Sequence, residues 1–225
     1  MKTLFACASA LVLLTAAQAA HAQSQPEVAY NIGVVSDYVF RGFSQSDEDL
    51  ALQGGIDVGV NGLYGGIWGS TVDFGDGTDG EVDLYAGYRT QLSGFDVDIG
   101  AVAYLYVGQP GAADYDYVEL KLAASRAVGP VTVGVVTYYS PDFFGVDEEA
   151  FYGEVKSSYA LTPSLTASAA LGHQSLDVND DYATWNVGLT YAFPSLFSLE
   201  VRYHDTDTTG PLGEERVVAM ISAAF

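Results

Sequence analysis

Residues 36–47 read SDYVFRGFSQSD. Asp37 and Arg41 stand four apart in this run, among Tyr38, Val39, Phe40 and Phe43. On a helix they would make an ordinary i,i+4 surface pair; on a strand both would point to one face. The residues upstream decide between the two. From residue 27 the apolar period is two, with Val28, Tyr30, Ile32 and Val34 alternating with Ala29, Asn31 and Gly33. Glycine, β-branched residues and aromatics at these positions disfavour a helix. Continued unbroken, the alternation puts Tyr38 and Phe40 on the apolar face and Asp37 and Arg41 on the polar one. The first strand is therefore expected to be long and to carry both charges.

The same pattern recurs along the chain. Leu52, Ile56, Val58 and Val60 oppose Gln53, Gly55, Asp57 and Asn61; Val82, Leu84, Ala86 and Tyr88 oppose Glu81, Asp83, Gly87 and Arg89. Further alternating runs centre on 95–103, 118–122, 185–193, 199–204 and 217–225, with less regular ones at 63–74, 131–140, 150–160 and 165–176. Twelve strands are expected, most of about 8 to 12 residues. Their connections alternate in length. Short, uncharged links fall at 61–62, 91–94, 128–130, 161–164 and 194–197. Long links at 44–50, 75–80, 107–115, 141–149, 177–182 and 205–215 carry acidic residues such as Asp47, Glu48, Asp49, Asp76, Asp147, Glu148 and Asp181. One rim should be short and neutral, the other long and acidic.

Alternation alone does not say which face is outside. The strand lengths suit a tilted bilayer crossing of roughly 9–11 residues. The even strand number and unequal loops fit the same architecture. The polar face of Gly, Asn, Thr, Ser and charges could not fill a dry core. Aromatics near strand ends (Tyr38, Tyr64, Trp68, Tyr88, Tyr104, Tyr159, Trp185, Tyr191) would form interfacial girdles. The expectation is an all-β fold, an antiparallel transmembrane β-barrel of about twelve strands, with the soluble two-sheet sandwich as the alternative.

Composition agrees. With 29 Asp+Glu against 8 Lys+Arg, no basic patch offers itself to nucleic acid. Lys2, the apolar run from Leu4 to Ala17 and Ala20-His21-Ala22 read as a cleavable signal peptide over 1–22, with the barrel over 23–225. Cys7 would leave with it, so the mature chain would hold no cysteine.

The stretches NIGVVSDYVFRGFSQSD (31–47), ALQGGIDVGV (51–60), LYGGIWGSTVDFGDG (63–77) and EVDLYAGY (81–88) resemble the N-terminal half of the proteobacterial porins of the TorF family. Phe225, on the last apolar face, is similar to the terminal aromatic by which outer-membrane barrels are recognised for assembly. The resemblance implies the outer membrane of a Gram-negative bacterium. Its lipid, its lipopolysaccharide and the barrel-assembly machinery would be partners. Monomer and trimer both remain open.

Under that reading the protein is a passive channel for small hydrophilic solutes, and parity assigns the pore-lining groups. They are Asp37, Asp57, Asp73, Glu81, Asp83, Asp96, Asp98, Glu119, Glu154 and Glu200 on the acidic side, with Arg41, Arg89, Lys121, Lys156, Arg202 and Arg216 on the basic side. Acids outnumber bases there and at the long rim, so a weak cation preference is expected. Two other readings compete. His173 and Ser175 share a strand face, as in the outer-membrane phospholipase, but catalysis would also need an Asn or Asp to orient the histidine; Asn186 is the nearest by sequence and has the opposite parity. A closed barrel acting through its acidic loops is the third. GDGTDG (75–80) lacks the ligand series of a calcium loop, and no cofactor or metal site is expected.

Overall fold

The computed structural model describes residues 25–225 except 112, 145, 147, 178 and 179; the expected signal peptide lies outside the described residues. Twelve strands close into one antiparallel barrel. In chain order they are β1 (Glu27–Val35), β4 (Ala51–Val60), β5 (Leu63–Thr71), β6 (Gly80–Leu92), β7 (Phe95–Val107), β8 (Tyr117–Val128), β9 (Val131–Ser140), β10 (Ala150–Thr162), β11 (Leu165–Leu176), β12 (Tyr182–Ala192), β13 (Phe197–Thr206) and β14 (Arg216–Ala224). Two short strands, β2 (Val39–Phe40) and β3 (Phe43–Ser44), form a separate hairpin between β1 and β4. Each barrel strand pairs with its sequence neighbours, and the first pairs with the last, Asn31 opposite Ala224 and Val35 opposite Met220. Closure leaves no sheet edge, which is what hydrocarbon demands of a spanning sheet.

The wall is apolar outward. Ile32, Leu52, Ile99, Leu122, Val155, Leu171, Val187 and Val217 all stand exposed on the outer face. Their neighbours in sequence point inward: Gln53, Ser70, Glu81, Glu119, Ser168, Gln174, Thr184 and Arg202 are buried in the lumen. A soluble barrel has these two faces the other way round. An apolar surface this continuous far exceeds what water tolerates, so the fold is a transmembrane β-barrel. Strands of nine to thirteen residues meet the crossing length.

The turns follow the expected asymmetry. Asn61-Gly62 closes β4 to β5 with φ of 51° and 85°, the doubly positive pair of the two-residue hairpin turn whose twist matches the strands. The tight links 93–94, 129–130 and 163–164 lie on the same rim, and the long acidic segments lie on the other.

The first strand departs from the sequence reading. β1 ends at Val35, not at Arg41. Ser36 makes the last rung, its N–H donating to Ala219 O (2.9 Å) and its Oγ accepting from Ala219 N (3.0 Å). Beyond it the chain leaves the wall and folds into the lumen. Four of the aromatics expected in girdles, Tyr38, Tyr64, Trp68 and Tyr104, likewise point into the barrel; Tyr88, Tyr159 and Tyr191 are exposed on its outer face.

Candidate functional site: the hairpin inside the lumen

Residues 36–50 build the site. Arg41 and Gly42 take φ of 48° and 90°, so FRGF is a two-residue hairpin, with Phe40 paired to Phe43 and Val39 to Ser44. Glycine accepts that conformation freely; arginine is strained in it, and the surroundings hold it there. The root is polar. Asp37 Oδ1 accepts from Ser44 Oγ (2.6 Å) and Ser46 Oγ (3.2 Å), and Ser46 Oγ in turn accepts from the Tyr38 N–H (2.9 Å). These side chains replace the ladder bonds lost on leaving the wall.

From this root the hairpin reaches each of the barrel strands from β5 to β14. Tyr38 packs edge-on against Trp68 of β5 (5.6 Å between centroids) and donates to Glu81 of β6 (3.0 Å). Phe40 meets Tyr104 of β7 at 5.9 Å. Arg41 reaches across the barrel: Nη2 donates to Glu119 Oε2 of β8 (2.6 Å) and Nη1 to Gln174 Oε1 of β11 (3.0 Å). Its guanidinium also stacks over the rings of Tyr138 in β9 (5.0 Å) and Tyr152 in β10 (4.4 Å). Phe43 packs on Tyr182 of β12 at 5.0 Å. Gly42 lies flat against the wall, and a Cβ there would fall 2.8 Å from Thr184 Oγ1 and collide with Thr206 of β13. Asp37 Oδ2 accepts from Arg216 Nη1 of β14 (2.8 Å).

The expected placement of Asp37 and Arg41 on one face of a long first strand is thus overturned. They flank the hairpin, they do not share a strand face, and each binds a wall residue far away in sequence. Burial makes these bonds matter, since the Arg41 and Glu119 side chains are 5% and 1% exposed. A charge left alone at that depth is strongly destabilising.

The short-turn half of the lumen holds a second set of charges. Asp98 accepts from Tyr64 Oη (2.7 Å), Lys121 Nζ (2.8 Å) and Arg89 Nε (3.3 Å). Arg202, almost fully buried, donates to Glu200 (2.9 Å), Asn186 (2.6 Å) and Ser168 (2.9 Å). Tyr85 donates to Asp57 and Tyr152 to Glu154. Asp83 and Lys156 face inward on β6 and β10, and Asp96 binds Gln91 at the short rim. Asp73 departs from its expected place: β5 ends at Thr71, so Asp73 is exposed in the loop above, its N–H bonded to Gln45 O of the inward segment. Of the basic residues among those described, only Arg126 is exposed at the wall's edge, over Phe95; the other six project into the lumen.

Parity missed Gln174, Tyr138, Tyr152 and Tyr182 as site residues because they carry no charge. The signal lay in the sequence as aromatics and a glutamine at lumen-facing positions, where a wet wall has no need of them.

The long loops fold over one side of the mouth. Phe74, Tyr106, Tyr115, Phe143 and Phe144 pack together there, with Tyr115 and Phe144 stacked at 4.8 Å. Asp76 accepts from the Thr78 N–H (2.9 Å) and from Tyr115 Oη (2.8 Å). These bonds, the Thr78 bonds first, hold its carboxyl below the usual range, and the same carboxylate raises the Tyr115 phenol.

His173 and Ser175 point outward, opposite Ala183 and alongside Phe151. Asn186 is on the other side of the wall, committed to Arg202. Asn186, the orienting group that reading would use, is therefore not assembled with His173 and Ser175.

No curated protein matches the sequence. In fold the chain is similar to the KdgM porin, at 12% identity, TM-score 0.61, over 88% of this chain and 98% of that one. It is also similar to the COG4313 outer membrane channel from Pseudomonas putida F1, at 12% identity, TM-score 0.58, over 94% of this chain and all of that one. At such identities the likeness is one of architecture. The TorF resemblance has no counterpart among these matches. A family model does match, over residues 19–225, and the chain accordingly belongs to the Gcw_chp family of bacterial proteins of unknown function.

Proposed function

We propose that the protein is an outer-membrane channel of a Gram-negative bacterium, exported by its signal peptide, that passes small hydrophilic solutes past the hairpin 36–50. The observation that carries this reading is a lumen lined by charged and hydroxyl groups inside an apolar wall, with one segment of chain folded across it. A barrel meant only as an anchor has no use for a wet interior with six inward cations. Twelve strands lie between barrels that side chains fill and those with wide aqueous pores, so the path is narrow and the hairpin governs it.

The similarity to porins, and the TorF-like sequence of the first third, support the same reading. So does the acidic long rim, which concentrates cations at the mouth; with lumenal acids in slight excess, we infer a modest cation preference. Liposome swelling tests the channel. Vesicles carrying the folded barrel should swell in small sugars and amino acids faster than protein-free vesicles, with a steep fall as solute size rises. Swelling at the protein-free rate for every solute would reject the channel.

A further inference from the structure

Arg41 sits in a receptor that the wall supplies. Glu119 offers a carboxylate at 2.6 Å and Gln174 an amide oxygen at 3.0 Å, while the faces of Tyr138 and Tyr152 lie 5.0 and 4.4 Å from the guanidinium carbon. The receptor is organised independently of its occupant. Gln174 Nε2 donates to the carbonyls of Phe151 and Ser175 (3.4 Å each), which fixes Oε1 toward the lumen. Tyr104 Oη donates to the same Glu119 oxygen (3.1 Å). Carboxylate, amide oxygen and aromatic faces are together the chemistry that recognises a flat organic cation.

The occupant is a tethered one, held in a strained backbone conformation at the tip of a hairpin. It cannot simply leave. Glu119 would remain as a buried, uncompensated charge, so Arg41 departs at low cost only in exchange for another cation. The acidic rim delivers cations to this position.

We propose that Glu119, Gln174, Tyr138 and Tyr152 form a lumenal binding site for solutes bearing a guanidinium group, and that Arg41 occupies it as a built-in competitor. The proposal rests on the channel reading for its route of access. Displacement of Arg41 by such a solute frees the hairpin tip, so binding and opening are the same event. Neutral solutes leave the latch in place.

The test separates binding from permeation. Arg41→Asn keeps the turn, because asparagine accepts positive φ, and removes the competitor; Arg41→Gly is the second variant should the first fail to fold. Binding of methylguanidinium to the detergent-folded barrel is measured by calorimetry, with methylurea as the neutral isostere. The variant should bind methylguanidinium at least about tenfold more tightly than the wild type, as removal of an intramolecular competitor requires. It should ignore methylurea, and Glu119→Gln added to the variant should abolish binding. Equal affinity in wild type and variant, binding that survives Glu119→Gln, or no preference over methylurea would each overturn the site. In liposomes the wild type should admit L-arginine faster than L-citrulline. Equal uptake of the two, with both above the protein-free rate, would refute selectivity while leaving the channel intact; no uptake of either would reject the channel, and the calorimetry would still decide the site.

Discussion

Arg41 Nη2 lies 2.6 Å from Glu119 Oε2, joining the tip of an inward-folded hairpin to β8 on the far side of the barrel. The two residues are 78 apart in sequence and both are buried. Through this pair the segment after β1 is held as part of the lumen and not as a free external loop.

Truncating either partner alone should therefore loosen the hairpin. Arg41→Ala leaves Glu119 unpaired, at a cost of about 3–5 kcal/mol to the docked state. The wall's own hydrogen bonds are untouched, so the barrel should stay folded. Limited proteolysis across 38–47, slow in the wild type, should become fast in Arg41→Ala and Glu119→Ala, while resistance of the barrel to detergent at room temperature persists. Equal cleavage of all three would show that the pair does not hold the hairpin.

The root of the hairpin gives a second prediction. Asp37 accepts from Ser44, Ser46 and Arg216. Asp37→Asn removes the charge that Arg216 faces, and it should shift the reversal potential across a salt gradient toward less cation preference at low ionic strength. The shift should vanish near 1 M salt, where screening reaches about 3 Å. A shift of the opposite sign would contradict the inferred selectivity.

Much of the barrel was legible in the sequence, because lipid outside and water inside impose a strict period of two on every spanning strand. Even the long and short rims could be read from where aspartate and glutamate cluster. The hairpin was not legible, for a specific reason. Tyr38 and Phe40 keep the parity of Ile32 and Val34, and Asp37 and Arg41 that of Asn31 and Gly33, so periodicity carries β1 six residues too far; the break is marked only by Ser36 on the apolar face and by Val35 and Val39 on the polar one. The turn that ends it is written Arg-Gly, not Asn-Gly, and a charged residue at positive φ is stable only because Glu119, Gln174 and two tyrosines, all distant in sequence, hold it. The same long-range dependence hid the uncharged members of the site.

Phe225 closes the barrel as well as ending the chain. Its N–H donates to Tyr30 O (3.0 Å), its carbonyl accepts from the Tyr30 N–H (2.8 Å), and the two rings stack at 6.0 Å. Deleting it removes the last rung of the β1–β14 seam along with the terminal aromatic. The amount of heat-modifiable barrel in the outer membrane should fall, with degraded precursor accumulating in the periplasm. Tyr30→Ala, which keeps the terminus, should weaken the folded barrel in detergent with a smaller loss in membrane level. Unchanged levels after deletion would rule out an assembly role.

Topology follows from the two rims. A cysteine at Gly210, in the long segment between β13 and β14, should react with a membrane-impermeant maleimide on intact cells; one at Gly129, in the tight β8–β9 turn, should react only after lysis. The reverse pattern would turn the barrel over.

The loop clasp has its own pH window. Asp76 is depressed by its bonds to Thr78 and Tyr115, so its contribution is present above the usual carboxylate range and is lost as pH falls through the lowered value. Tyr115 is raised by the same contact, so its share is lost only as pH rises beyond the ordinary phenol range. Amide exchange in 72–79 and 108–116 should be slow between those limits and accelerate outside them, and Asp76→Asn should erase the acidic arm. A profile unchanged by that substitution would remove Asp76 from the clasp.

The most direct test of the account is single-channel conductance with the hairpin free, locked and absent. A cysteine pair at Phe43 and Tyr182, whose rings lie 5.0 Å apart, bridged by a short bis-methanethiosulfonate reagent, would pin the tip to β12. In planar bilayers the wild type should show small conductance steps, the bridged pair should show fewer or smaller ones that return on reduction, and a chain lacking residues 38–47 should show larger, steadily open steps. Identical conductance in all three states would contradict the claim that this hairpin governs the lumen.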